Sequence, residues 1–201
     1  MTASVASLIY RPVSWLDRLP LAEMFPVPQP LEVELGSGDG SFLTQWAQRW
    51  PERNFLGVER LLGRLRKLER KGLRVGLKNL RLMRIEAAYF LEYLLPHRST
   101  DALHLYFPDP WPKRKHRRHR LVNERFPELT ARVLQPRGTI YLRTDDADYF
   151  AQMLEVFANE RRFTPQPTPD LLKGVTTDFE RDFNARGIPT RHASFRLEAG
   201  V

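Results

Sequence analysis

The sequence predicts an α/β fold: a single doubly wound domain with a mostly parallel sheet and an antiparallel edge strand near the C-terminus. Three observations predict it. From Leu31 onward short apolar strands alternate with helix-length segments, the pattern of βαβ units. The strongest motifs follow four different strands, and open α/β sheets bind ligands outside the carboxyl ends of their strands. The 201 residues suit one domain and can bury a substantial core.

Residues 1–30 carry Pro12, Pro20, Pro26, Pro28 and Pro30, so an irregular lead-in held by Trp15 and Phe25 is expected, with the α/β domain following over 31–201. Leu31–Leu35 reads as a strand, and Ser41–Trp50 as a helix with Phe42, Leu43, Trp46 and Ala47 on one face. Asn54–Val58 is a second strand. The helix from Leu61 to Lys71 gathers Leu61, Leu62, Leu65 and Leu68, with Arg64, Lys67, Arg70 and Lys71 around them. Leu80–Ile85 and Asp101–Tyr106 are the third and fourth strands, separated by a short helix at Ala88–Leu95. A helix over Leu121–Leu134, a fifth strand at Thr139–Arg143 and a helix over Tyr149–Glu160 complete the alternation. After Arg161 the chain turns proline-rich and polar, and His192–Leu197 alternates like an edge strand.

Composition narrows the function classes. Hydrophobic residues make up 42% and charged residues 28%, as in an ordinary water-soluble protein. A net charge of +8 and a pI near 10.1 favour a polyanionic partner. Without cysteine there are no disulfides, thiolate metal sites or cysteine nucleophiles. The five histidines (97, 104, 116, 119 and 192) form no HExxH pair, so no metal site is expected. No apolar stretch reaches the ~20 residues of a membrane span and no signal peptide is seen, so a cytoplasmic protein is expected.

Four motifs carry chemistry. In ELGSGDG, Gly36, Gly38 and Gly40 remove side chains where the backbone must turn tightly and approach a ligand, and Glu34 precedes them. Glu59 closes the second strand, where a carboxylate can accept both hydroxyls of a ribose. A nicotinamide site uses the same acid, but it prefers GxGxxG to the GxGxG found here. Glu86, beside Ala87 and Ala88, can receive an adenine amino group or be an ordinary solvated glutamate. In FPDPWPKRKHRRHR two prolines make a rigid turn around Asp109, and little entropy remains to be lost when a planar base docks there. Lys113, Arg114, Lys115, Arg117, Arg118 and Arg120 follow with no acid among them. A charge run is usually a solvated face, but this one sits between a core strand and a core helix, which favours a phosphate clamp. Lastly, Thr144–Asp145 follows the fifth strand, and Thr177 to Arg181 reads TDFER, able to recognise a base edge but, on these residues alone, better read as a helix capping box.

Together ELGSGDG, Glu59, FPDPWPK with its basic run, and TDFER resemble the bacterial tRNA (guanine-N7)-methyltransferase family, from about Trp15 to the end. The resemblance implies a Rossmann-like class I methyltransferase domain in which Glu34, Glu59, Glu86 and Asp109 line the S-adenosylmethionine site, at the Gly36–Gly38 turn. It implies that Lys113, Asp145 and the Thr177–Glu180 segment hold a guanosine of the tRNA variable loop, and that Asp109 is the catalytic candidate. Glu86 stands where the family more often has Asp or Asn, and Asp178 where a base is common.

Guanine N7 carries an in-plane lone pair and no hydrogen, so methylation there needs alignment and electrostatics rather than a general base. An exocyclic-amine methyltransferase would carry an aromatic after two prolines, whereas here Trp111 precedes Pro112. A dehydrogenase lacks an obvious hydride-transfer His or Tyr. A non-catalytic RNA-binding domain on the same fold is opposed by the intact acids Glu34, Glu59 and Asp109.

Overall fold

A computed structural model describes residues 7–199; the first six residues of the expected lead-in and the last two of the chain lie outside them. Strands β1 (Leu31–Leu35), β2 (Asn54–Val58), β3 (Leu80–Met83), β4 (Thr100–Tyr106) and β5 (Leu134–Thr144) run parallel. β6 (Phe163–Gln166) and β7 (Arg191–Leu197) complete one sheet in the order β3-β2-β1-β4-β5-β7-β6. The antiparallel edge expected near the C-terminus is a pair: β7 lies against β5, and β6 takes the outermost place.

The order reverses between β1 and β4, which opens a crevice at the carboxyl ends of those strands. The helices are α1 (Leu21–Met24), α2 (Leu43–Arg49), α3 (Leu62–Arg74), α4 (Ala87–Tyr89), α5 (Phe126–Val133), α6 (Ala147–Ala158), α7 (Asp170–Lys173) and α8 (Asp178–Ala185). α4 continues as a π-helical turn over Phe90–Leu94, and Arg114–His119 form a 3-10 turn. Among the described residues no helix is long and apolar enough to cross a membrane.

The sheet separates two apolar clusters. Val33, Leu35, Val58, Leu103, Leu105 and Leu142 point to one, and Phe42, Leu43, Phe55, Leu65, Leu68 and Leu82 to the other. β1 reads LEVEL, an alternation that suggests one wet face, yet every residue is buried. Glu32 is satisfied by Trp46 Nε1–H (2.8 Å), His104 Nε2 (2.8 Å) and Arg53 (3.1 Å), as a buried carboxylate requires. His104 also meets the Tyr106 hydroxyl at 2.7 Å. Nothing in the sequence reading singled out this pair.

Several elements differ from expectation, each for a local reason. The helix expected over Leu121–Leu134 starts only at Phe126, with Pro127 in its first turn, where its missing N–H costs nothing. Leu134 already belongs to β5. α3 runs on to Arg74. In the lead-in, Phe25 is buried as expected, but Trp15 is 45% exposed and contributes its carbonyl to the Tyr89 hydroxyl (2.8 Å). Leu8, Leu19 and Met24 anchor this segment instead, and Ile9 bridges to Leu82.

Candidate active site

The Gly36–Gly40 loop leaves β1 with Gly36, Gly38 and Gly40 at φ of 73°, 55° and 78°, a left-handed conformation that favours glycine. Gly40 has a second reason: a Cβ there would lie 2.0 Å from Leu68 Cδ1, so only glycine lets α3 pack against the loop. Gly36 N–H and Ser37 N–H donate to the Val58 carbonyl (2.8 and 2.9 Å), tying β1 to β2. Glu59 accepts from Gly38 N–H (3.0 Å) and Leu61 N–H (2.7 Å), one on each oxygen, which leaves lone pairs for a ligand.

Glu34 is 3% exposed, and its Oε2 has no hydrogen-bond partner among the described residues. Burial pushes its carboxyl well above the usual range; Arg143 opposes this, and Asp39 and Glu59 reinforce it. Glu86 caps α4, accepting from Tyr89 N–H at 2.9 Å, and is solvent-exposed.

Asp109 sits in a turn bracketed by Phe107 (φ 50°) and Trp111 (φ 43°), non-glycine residues in the left-handed region. Such conformations cost ~1–3 kcal/mol each and persist where surrounding structure enforces them. Arg120 enforces this one. It is only 1% exposed and donates to the Pro110 carbonyl (2.6 Å), Gln152 (2.7 Å) and Asp148 (2.6 Å) while lying over the Tyr149 ring. The last base of the run is thus an internal strut, and Arg117 joins it on Asp148 at 2.8 Å. Arg114, Lys115 and Arg118 point into solvent, as does Lys113, which lines neither cavity described below.

Two cavities meet at Asp109. One, of about 470 Å³, is bounded by Gly36, Glu59, Leu61, Ile85, Glu86 and Trp111. The other, of about 270 Å³, is bounded by Glu34, Gly38, Asp145, Thr177, Phe179 and Phe183. Gly36, Arg64, Tyr106, Phe107, Pro108 and Asp109 belong to both. A third cavity of about 450 Å³, around Glu32, Trp46, Trp50 and Tyr141, contains none of the motif residues.

Thr177 and Glu180 form a reciprocal capping box on α8: Glu180 N–H donates to Thr177 Oγ1 (3.0 Å), and Thr177 N–H to Glu180 Oε2 (3.3 Å). Glu180 departs from expectation. It is 2% exposed, borders neither of the two joined cavities, and pairs with Arg143 at 3.0 Å. A carboxylate so engaged anchors the wall of the smaller cavity. Arg143 stacks over Tyr106 (4.1 Å to the ring centre) and also donates to the carbonyls of Val175 (2.8 Å) and Leu172. Sequence reading missed Arg143, and it missed Phe179 and Phe183, whose i, i+4 spacing on α8 was the available signal.

The family described as "Putative methyltransferase" matches residues 28–192. A tRNA (guanine-N(7)-)-methyltransferase of Syntrophotalea carbinolica is 36% identical over 170 residues, covering 83% of this chain and 73% of that protein. The Lactobacillus acidophilus protein of that name is 34% identical, covering 84% and 82%. That of Thermotoga maritima is 33% identical over 86% of this chain, which spans only 56% of that longer relative. Among solved structures, the 16S rRNA methyltransferase KamB (TM-score 0.61, 16% identity, 85% and 88% covered) shares the fold. So does an rRNA methylase from Streptococcus thermophilus (0.58, 15%, 85% and 87%). With most of its length matched by these relatives, the chain belongs to the tRNA (guanine-N(7)-)-methyltransferase family.

Proposed function

We propose that this protein transfers a methyl group from S-adenosylmethionine to N7 of a guanine in the tRNA variable loop, acting in the cytoplasm. The observation that carries the reading is the position of Asp109 at the seam of two cavities, one edged by Glu59 and Glu86, the other by Asp145 and Thr177.

The residues present fit the cofactor. The unpartnered, buried Glu34 Oε2 suits an ammonium, which would supply the hydrogen bond that atom lacks. The left-handed glycines leave the loop backbone bare toward the cavity. Glu59 retains acceptor capacity for ribose hydroxyls, and Glu86 for an adenine amino group. When bound, S-adenosylmethionine supplies an electrophilic methyl on a sulfonium.

The protein's own work is alignment and electrostatics. Asp109, held in a strained and braced turn, places a carboxylate beside the ring on which positive charge develops. No proton has to leave N7, so no base is assigned. Phe179 and Phe183 offer aromatic walls to the purine, and Asp145 accepts from guanine N1–H and the 2-amino group, which adenine cannot match. Arg114, Lys115 and Arg118, with Lys113, meet the phosphate backbone.

Incubation with methyl-labelled cofactor and unmodified tRNA tests the reading. We expect label in 7-methylguanosine alone, and chain scission at one guanosine after reduction and aniline, because the N7-methyl product carries a fixed charge that opens the ring. Label in methyladenosine, or labelled tRNA that survives the treatment, assigns the protein to amine methylation. Absence of label leaves an RNA-binding domain.

A further inference from the structure

Beyond Arg64, the outer face of α3 is unused by the site described above. Arg64, Lys67, Lys71 and Arg74 follow one another at i, i+3, i+7 and i+10, which keeps them within an arc of about 80° along roughly 15 Å of helix. Arg70 borders the stripe. Lys71 is committed to Asp39 at 2.8 Å, and Arg64 lies over the Phe179 ring. Lys67, Arg70 and Arg74 are exposed and take part in no ion pair among the described residues.

The stripe is unfavourable at the helix start: Arg64 and Lys67 repel at i, i+3, and a cation in the first turn opposes the helix dipole with no acid there to offset it, whereas Lys71 and Arg74 in the last turn suit the dipole. Glu69, the helix's one acid, faces away and accepts from Ser7 and from Leu8 N–H (3.1 Å). A merely solvated face would intersperse acids to relieve the repulsion.

The stripe also runs into the site. Arg64 borders the smaller cavity, the one proposed for the guanine, and Pro110, three residues ahead of the 113–118 run, borders it too. A nucleotide inserted in a cavity keeps a phosphate on each side, so its chain must leave in two directions. Two basic surfaces flanking one cavity match that requirement.

Resting on the function proposed above, we propose that the outer face of α3 is a second RNA-docking surface, on which Lys67, Arg70 and Arg74 hold the phosphate backbone of the tRNA strand leaving the site opposite the 113–118 run. The ligand is a folded RNA recognised by charge and spacing, not by base identity.

The test compares two charge-matched triple variants of the full chain, Lys67→Gln/Arg70→Gln/Arg74→Gln and Arg137→Gln/Arg161→Gln/Arg196→Gln. The second removes equal charge from exposed positions toward the β5-β7-β6 side of the sheet. Binding of an unmodified tRNA transcript is measured from 50 to 200 mM salt, with cofactor titration alongside. The α3 variant should flatten the slope of log affinity against log salt by about two units, at roughly 0.7–0.9 per phosphate contact. It should bind at least about tenfold more weakly near 150 mM salt, keep its cofactor affinity, and retain its single-turnover rate at saturating tRNA. The control variant should keep the wild-type slope. Equal losses in both variants reduce the effect to net charge, and an unchanged slope in the α3 variant makes the stripe a solvated face; either overturns the proposal. Wild-type protein that methylates tRNA while the α3 variant matches it in slope defeats this surface alone. Wild-type protein that neither binds nor methylates tRNA removes the functional reading and the surface with it.

Discussion

The two walls of the site are built by opposite means. On the side proposed for the cofactor, the Gly36–Gly40 turn and Glu59 hold each other through backbone N–H groups a few residues from their own strands. On the other side, the wall around Thr177, Phe179 and Phe183 is held by Arg143, which reaches from the end of β5 to Leu172, Val175 and Glu180. The first wall ties the ends of two neighbouring strands, with backbone N–H groups as the donors. The second hangs on one buried cation between aromatic rings and a carboxylate. A wall of the first kind tolerates side-chain change around it, whereas one of the second kind fails as a unit when its cation is removed.

Arg143→Met is the sharpest way to break this comparison. Removing one partner of a buried pair leaves Glu180 uncompensated, at a cost of ~3–5 kcal/mol in denaturant unfolding. Combining it with Glu180→Leu should recover much of that loss, because the double variant buries no lone charge. A loss under ~1 kcal/mol in the single variant would show that the arm does not depend on Arg143.

Glu59→Ala probes the other wall. It should weaken cofactor binding by about 3 kcal/mol, two charge-assisted hydrogen bonds at ~1.5 kcal/mol or more each, as read by titration calorimetry. Unchanged affinity would remove Glu59 from the cofactor site. Asp109→Asn, at the seam, keeps the shape and loses the charge. Single-turnover methylation should fall about 100-fold, ~2.7 kcal/mol, with folding intact. A rate within about threefold of wild type, under ~0.7 kcal/mol, would deny Asp109 an electrostatic role.

Glu34 couples the cofactor wall to pH. Its folded carboxyl lies above the ordinary 4.5, so its own contribution to stability is present in full below that value and is lost as pH rises through the folded pKa. Glu34→Gln should flatten this dependence in thermal unfolding above about pH 4.5 while weakening cofactor binding. A wild-type curve that rises over this window and is unaltered by the substitution would contradict the burial of an unpaired acid.

The smallest effect belongs to the solvent-facing run. Arg114→Gln with Lys115→Gln and Arg118→Gln should flatten the salt dependence of tRNA binding by one unit or less per contact, with cofactor affinity unaltered. An unchanged slope would leave these three as a solvated face.

The sequence by itself determined the sheet, the glycine turn and the acids at the strand ends, because each follows from neighbours within a few residues: alternating apolar runs, glycines where φ is positive, prolines around Asp109. Even β7 was legible from its alternation. Only the tertiary structure decided which charges are buried. Arg120 and Arg118 stand two positions apart in one run, yet Arg120 braces the Asp109 turn and Arg118 faces water, since Asp148 and Gln152 arrive from a later helix. Glu180 fits both a base contact and a cap in the sequence; the structure adds a partner from 37 residues earlier, Arg143, that no local pattern announces. Glu32 and His104 lie on neighbouring strands, and their pairing beneath Trp46 of α2 is visible in neither strand's own sequence. A local pattern can fix backbone conformation, but the partner that neutralises a buried charge comes from anywhere in the chain, and only folding brings it there.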